Sequence, residues 1–240
     1  MQFDNPAARL LKILKEGRPI NSNQSCRDVW HGLLQVNKSD SALLMSRLGK
    51  LMELPQIIIR EIQDNYPNQV STHEHWSQKV NTAFMQQNLN GKWSEFMQHI
   101  DSHTLNYLSM SADLLDMKAE TQVIPEDKLS EIKSKVNELL AEALESEIDP
   151  DFKRYIVRYL YKITVAIDEY HISGVQPISE SIESAFGHAV LDESYKENLS
   201  NTEFGSKVVT VLGFLASAVT VAVGLPQLPE SFHYLLSSGK

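Results

Sequence analysis

The chain has 240 residues, of which 42% are hydrophobic, 8% aromatic and 22% charged, a composition that supports a packed core and excludes collagen-like, linker-like and low-complexity classes. A single cysteine, Cys26, excludes a disulfide scaffold and any multi-cysteine zinc or iron–sulfur site. The formal net charge of −9, from 22 Lys and Arg against 31 Asp and Glu, argues against bulk electrostatic binding of nucleic acid and leaves room only for a local cationic patch.

Nearly every apolar stretch repeats at three and four residues and none alternates at two, so an all-α fold is expected, a multi-helix body followed by an apolar C-terminal helix. The opening MQFDNP is no cationic, apolar leader and runs into an amphipathic helix with Ala7, Leu10, Leu11 and Leu14 on one face; the body is accordingly expected in the cytoplasm. Pro6 sits in the first turn behind Asp4 and Asn5, and Gly17 and Pro19 stop this helix. Ser25 with Asp28 opens a second helix carrying Val29, Trp30, Leu33 and Leu34, and Leu43, Leu44, Leu48, Leu51 and Met52 make a third. Pro55 is expected to start a separate short helix holding Ile57, Ile58, Ile59 and Ile62. Ser71 and Glu74 have capping-box spacing ahead of Trp76, Val80, Phe84 and Met85. Trp93, Phe96, Met97 and Ile100, then Leu105, Leu108 and Leu115, continue the helical pattern to about Met117. The segment Thr121 to Pro125 reads as a boundary between an N-terminal helical region (1–122) and an acidic, long-helix region (123–206).

Residues 113–151 hold 12 acidic and 4 basic side chains. Within them Leu129, Ile132, Val136, Leu139, Leu140 and Leu144 form one stripe, either a core-facing helix face or a short coiled coil. Ile148 to Tyr170 is expected as one long helix with a wide apolar face from Phe152 to Tyr170. A further helix follows Gly174 and Pro177, presenting Ile178, Ile182, Ala185 and Phe186.

The third region, 207–240, contains Val208 to Leu225, VVTVLGFLASAVTVAVGL, 18 residues without a charge. As a helix it spans roughly 27 Å, just short of a ~30 Å hydrocarbon core. It is either a membrane helix or the buried centre of a soluble bundle. Its six valines, poorer helix formers in water, favour the membrane, where the backbone must bond internally. Thr210, Gly213, Ser217, Thr220 and Gly224 recur at spacings of three and four, a small, weakly polar seam suited to close helix pairing or to lining a narrow wet path.

Chemistry-bearing residues are sparse. Glu95, His99 and His103 share a helical face if the helix is continuous, the spacing of a zinc site, but an exposed histidine-bearing face explains them equally and no metal is assigned. No phosphate-loop, dinucleotide, nucleophile-elbow or kinase motif is present, so neither an enzyme nor a cofactor is expected. Arg154, Arg158 and Lys162 recur every four residues, with Lys153 and Tyr161 beside them. Such a row clamps phosphates, with the tyrosine free to stack on a base, or neutralises Glu142, Glu145, Glu147 or Asp151.

The stretch AIDEYHISGVQPISESIESAF, residues 166–186, followed by a short spacer and KVVTVLGFLASAVTVAVG, resembles the C-terminal arrangement of small helical, membrane-inserting effectors encoded in bacterial anti-phage defence operons. The resemblance covers the last third of the chain. It implies a cytoplasmic helical sensor that forms homo-oligomers and perturbs or perforates the inner membrane, as an effector or channel subunit; an anionic nucleotide or oligonucleotide regulator is expected from the Arg154, Arg158 and Lys162 row. The alternative is a soluble all-helical interaction module.

Overall fold

A computed structural model describes residues 4–69, 71–117 and 122–223, with side chains given to residue 220. Its described residues form twelve α-helices and no strand; one isolated antiparallel bridge joins Ser25 and Lys92. They separate into two compact units, residues 4–117 with His171–Gly174, and residues 122–170 with 175–223.

The N-terminal unit contains α1 (Pro6–Gly17), α2 (Cys26–Leu33), α3 (Ser41–Asn65), α4 (Glu74–Gln86), α5 (Trp93–Met97) and α6 (Ser102–Asp116). Asn5 caps α1 by accepting from Ala8 N–H at 2.8 Å, and Pro6 occupies the first turn, where its missing N–H costs nothing. Trp30, Phe84, Trp93 and Phe96 pack around one another, with Trp30 edge-on to Trp93 and Phe96 at 5.0 Å. Each buried indole N–H finds an acceptor: Trp30 on Gln87, Trp76 on Ser111 and Trp93 on the Gly17 carbonyl.

Three expectations fail here. Pro55 lies inside the 25-residue α3 instead of starting a new helix; it is buried with Leu51, Leu54 and Ile58, and this packing outweighs the backbone bond it removes. The Ser71/Glu74 capping box is absent, since α4 starts at Glu74 after His73 with no side-chain cap. The helix from Trp93 is not continuous to Met117: Asp101 accepts from both the amide and hydroxyl of Thr104 (2.7 and 2.9 Å) and starts α6 afresh.

The C-terminal unit holds α7 (Glu126–Glu145), α8 (Pro150–Asp168), α10 (Gln176–Leu191), α11 (Glu193–Asn201) and α12 (Glu203–Val223); the short α9 (Tyr170–Ser173), between α8 and α10 in the chain, belongs from His171 onward to the N-terminal unit. One core joins Ile132, Val136 and Leu139 of α7, Phe152, Ile156, Leu160 and Ile163 of α8, Ile178, Ile182 and Phe186 of α10, and Val208, Leu212, Leu215 and Val219 of α12. The apolar stripe of α7 is thus core-facing, except that Leu144 is exposed. The expected long helix ends at Asp168, and α11, unanticipated, is capped by Asp192 accepting from Tyr195 N–H at 3.0 Å.

Candidate functional site

Two features of the C-terminal unit concentrate what chemistry the chain has. The first is α8. Asp149 caps it by accepting from Phe152 N–H at 2.9 Å, and Pro150 fills its first turn. Phe152, Ile156, Tyr159, Leu160 and Ile163 then fix its buried face, which turns Arg154, Arg158, Tyr161 and Lys162 outward, all exposed.

These cations have different partners. Arg154 pairs with Asp151 one turn earlier at 3.0 Å, and a Tyr155 hydrogen bond, then the Asp151 charge, hold its guanidinium still more firmly protonated. Both members of that pair are about two-thirds exposed or more (66% and 73%), so it adds little stability. Arg158 has no carboxylate partner among the described residues. It donates to the Tyr159 hydroxyl at 3.1 Å and lies 5.1 and 5.0 Å from the ring centres of Tyr155 and Tyr159. Lys153 is withdrawn from the row, donating to the Leu144 and Ser146 carbonyls at the end of α7.

Behind Arg158 lies a cluster that the sequence reading missed. The His188 ring sits 4.1 Å from the Tyr155 ring centre and 4.7 Å, edge-on, from that of Tyr195. The Tyr195 hydroxyl and His188 Nε2 are both buried without a hydrogen-bond partner, although Asp192 Oδ2 stands 3.6 Å from His188 Nε2. Burial, with Tyr159 adding, pushes the Tyr195 phenol above its ordinary range, and the Arg158 charge acts in opposition. These residues come from three helices with no local motif; only the Tyr155–Tyr159 spacing beside Arg158 could have pointed to them.

The second feature is α12. Phe204, Val208, Leu212, Leu215, Ala216 and Val219 are buried against the helices of the same unit, and Val209, Val211, Phe214 and Ala218 are half-buried. Of the small seam, Thr210 and Ser217 are exposed and Gly213 half-exposed, so this part of the seam faces away from the core, whereas the Thr220 hydroxyl is buried without a hydrogen-bond partner; Gly224 lies outside the described residues. The helix is therefore covered on one side, not all round. The Thr210 and Ser217 hydroxyls donate to the Ser206 and Gly213 carbonyls, each at 2.9 Å, which lets that face lose water without leaving those donors unpaired. Lys207 pins the start of α12 to Glu142 of α7 at 2.7 Å. A groove of about 370 Å³ beside the seam is lined by Ile124, Pro125, Lys128, Phe214, Ser217 and Ala218.

Glu95, His99 and His103 do not share a helix, because α5 ends at Met97 and Glu95 turns back to accept from Lys92 N–H. Cys26 is buried and its thiol is pushed up to about 11 by desolvation. Comparison with protein-family models, with curated proteins and with solved structures finds no match to this chain.

Proposed function

We infer that this protein is a helical membrane effector that self-associates, of the kind found in bacterial anti-phage defence, with a cytoplasmic body and α12 as its membrane-active element. The observation that carries the reading is the half-covered state of α12. It is long and apolar enough to cross a membrane, yet only 39% of its candidate span, Glu203–Thr220, is buried. Its open side is without charge from Val208 onward, and a second copy or lipid would satisfy that side equally well.

Magnitudes say that α12 is held down until something loosens it. Phe204, Val208, Leu212, Leu215 and Val219 contribute on the order of 10 kcal/mol by burial. Transfer to the centre of a bilayer returns only about 0.3–0.6 kcal/mol per Val, Leu or Phe. Insertion alone does not release the helix, so the reading requires a trigger.

The same buried face supports a second reading, a soluble interaction module in which α12 is core on one side and an oligomer interface on the other. Fractionation of the native, untagged protein separates the two. Recovery in the membrane fraction after triggering, resistant to high salt and extracted by detergent, supports the effector; recovery only in the soluble fraction under every condition supports the module.

A further inference from the structure

The trigger requires a site, and several places are eliminated on their own terms. The 520 Å³ cavity of the N-terminal unit, bordered by His75, Tyr107 and Met110, has no unpaired charge directed into it, and the groove beside Ser217 has nothing that specifies an occupant. The α8 row differs. Its three cations follow one another along about 12 Å of helix, and Arg158 is free of carboxylates among the described residues while its guanidinium plane is fixed by two rings. Guanidinium forks so held match phosphate oxygens without first losing rotamer freedom.

An independent observation lies beneath them. Tyr195 is 1% exposed, and its hydroxyl has no partner, an arrangement that native folds seldom accept without use. Its ring touches that of His188, whose Nε2 stands 3.6 Å from Asp192 Oδ2. One polar atom awaiting a partner, the Tyr195 hydroxyl, thus lies in the ring cluster that holds Arg158, a cation with donors to spare. The carboxylates close by are already engaged, Asp151 with Arg154, and Asp192 with His188 and as the cap of α11.

We propose that Arg154, Arg158 and Lys162 bind two or more adjacent phosphate groups, with Tyr161 stacking on any attached base and with the Tyr195 hydroxyl completing the hydrogen bonds beneath them. The site also has a route to α12. Tyr195 and Leu199 are the buried residues of α11, which runs into α12 through Thr202, and Gly205 packs so closely on Asn198 and Leu199 that a methyl group there would overlap their backbone. A shift of Tyr195 therefore displaces the start of α12. This consequence rests on the effector reading; the binding site does not.

Titration of the full chain with inorganic pyrophosphate and with ATP, at constant ionic strength and without membranes, tests the site. Saturable binding is expected. Arg158→Ala and Lys162→Glu should each weaken it tenfold or more, Tyr195→Phe three- to tenfold with the melting temperature unchanged or raised, and Lys79→Glu, a control in the N-terminal unit, not at all. Phosphatidylglycerol vesicles form the second arm: if Arg158→Ala lowers vesicle binding instead of nucleotide binding, the phosphates belong to lipid headgroups and the site stands. Absence of Arg158-dependent binding in both arms overturns it, as does equal weakening by Lys79→Glu, which marks general charge attraction. Membrane recovery without ligand binding removes the site and leaves the effector reading; binding without membrane recovery does the reverse.

Discussion

Gly174 has φ +71°, and a Cβ at this position would meet the Arg9 guanidinium, which donates to the Ile172 carbonyl at 3.0 Å and pairs with Asp4. Gly174→Ala therefore combines an unfavourable backbone with displacement of that guanidinium. A loss of ~2 kcal/mol is expected, read as a lower urea midpoint; an unchanged midpoint contradicts the geometry. Cys26 supplies a pH test. Its folded thiol keeps its proton to about 11, against an ordinary value of 9.0, so an unfolded thiol ionises first. The stabilisation is whole below about 9 and is lost as pH rises towards 11. Wild type should lose more stability than Cys26→Ala between pH 8 and 10.5, and parallel losses would show the thiol is not protected. At this scale the sequence was informative where chemistry is local, the Ser71/Glu74 capping box excepted. Asn5, Ser25 and Pro6 perform the capping and first-turn roles their positions imply, whereas the meeting of His188 with Tyr155 and Tyr195 depends on how three helices pack and leaves no trace in spacing.

Among elements, periodicity located the helices and their buried faces, but failed where burial overrides local preference, as at Pro55, and where one cap interrupts an apolar pattern, as at Asp101. The same distinction governs how α12 is probed. An arginine at Leu215 or Val219, attractive on hydropathy alone, falls on side chains 0% and 1% exposed and should cost about 3–5 kcal/mol by burying an unpaired charge. Loss of membrane recovery in those variants would then report unfolding. Ser217→Arg falls on the open face, so its thermal midpoint in water should stay within a degree or two of wild type while Leu215→Arg loses its cooperative transition. Similar midpoints for both would mean that α12 is not packed as described.

For the whole molecule, a helix covered on one side leaves a second surface to explain. Copies of the chain are expected to meet through Thr210, Gly213, Ser217 and Thr220, because small side chains let helix backbones approach. Gly213→Leu, placed on open space, should leave the monomer folded and reduce oligomers in detergent, measured by mass photometry; an unchanged distribution excludes this seam. That the fold is all helical could be read from the sequence, since it follows from local periodicity. Which side of α12 the body covers could not, because valine is common to its buried and half-buried positions alike.

Vesicle flotation of wild type and Ser217→Arg, side by side with and without pyrophosphate or ATP, bears most directly on whether α12 enters membranes. An arginine near the bilayer centre costs about 2.5–3.5 kcal/mol of insertion, roughly a hundredfold in partition. Wild type should float with anionic vesicles once the ligand is present, and Ser217→Arg, equally folded, should stay in the aqueous layer. Equal flotation of the two proteins, or none of the wild type under any condition, would contradict a membrane role for α12.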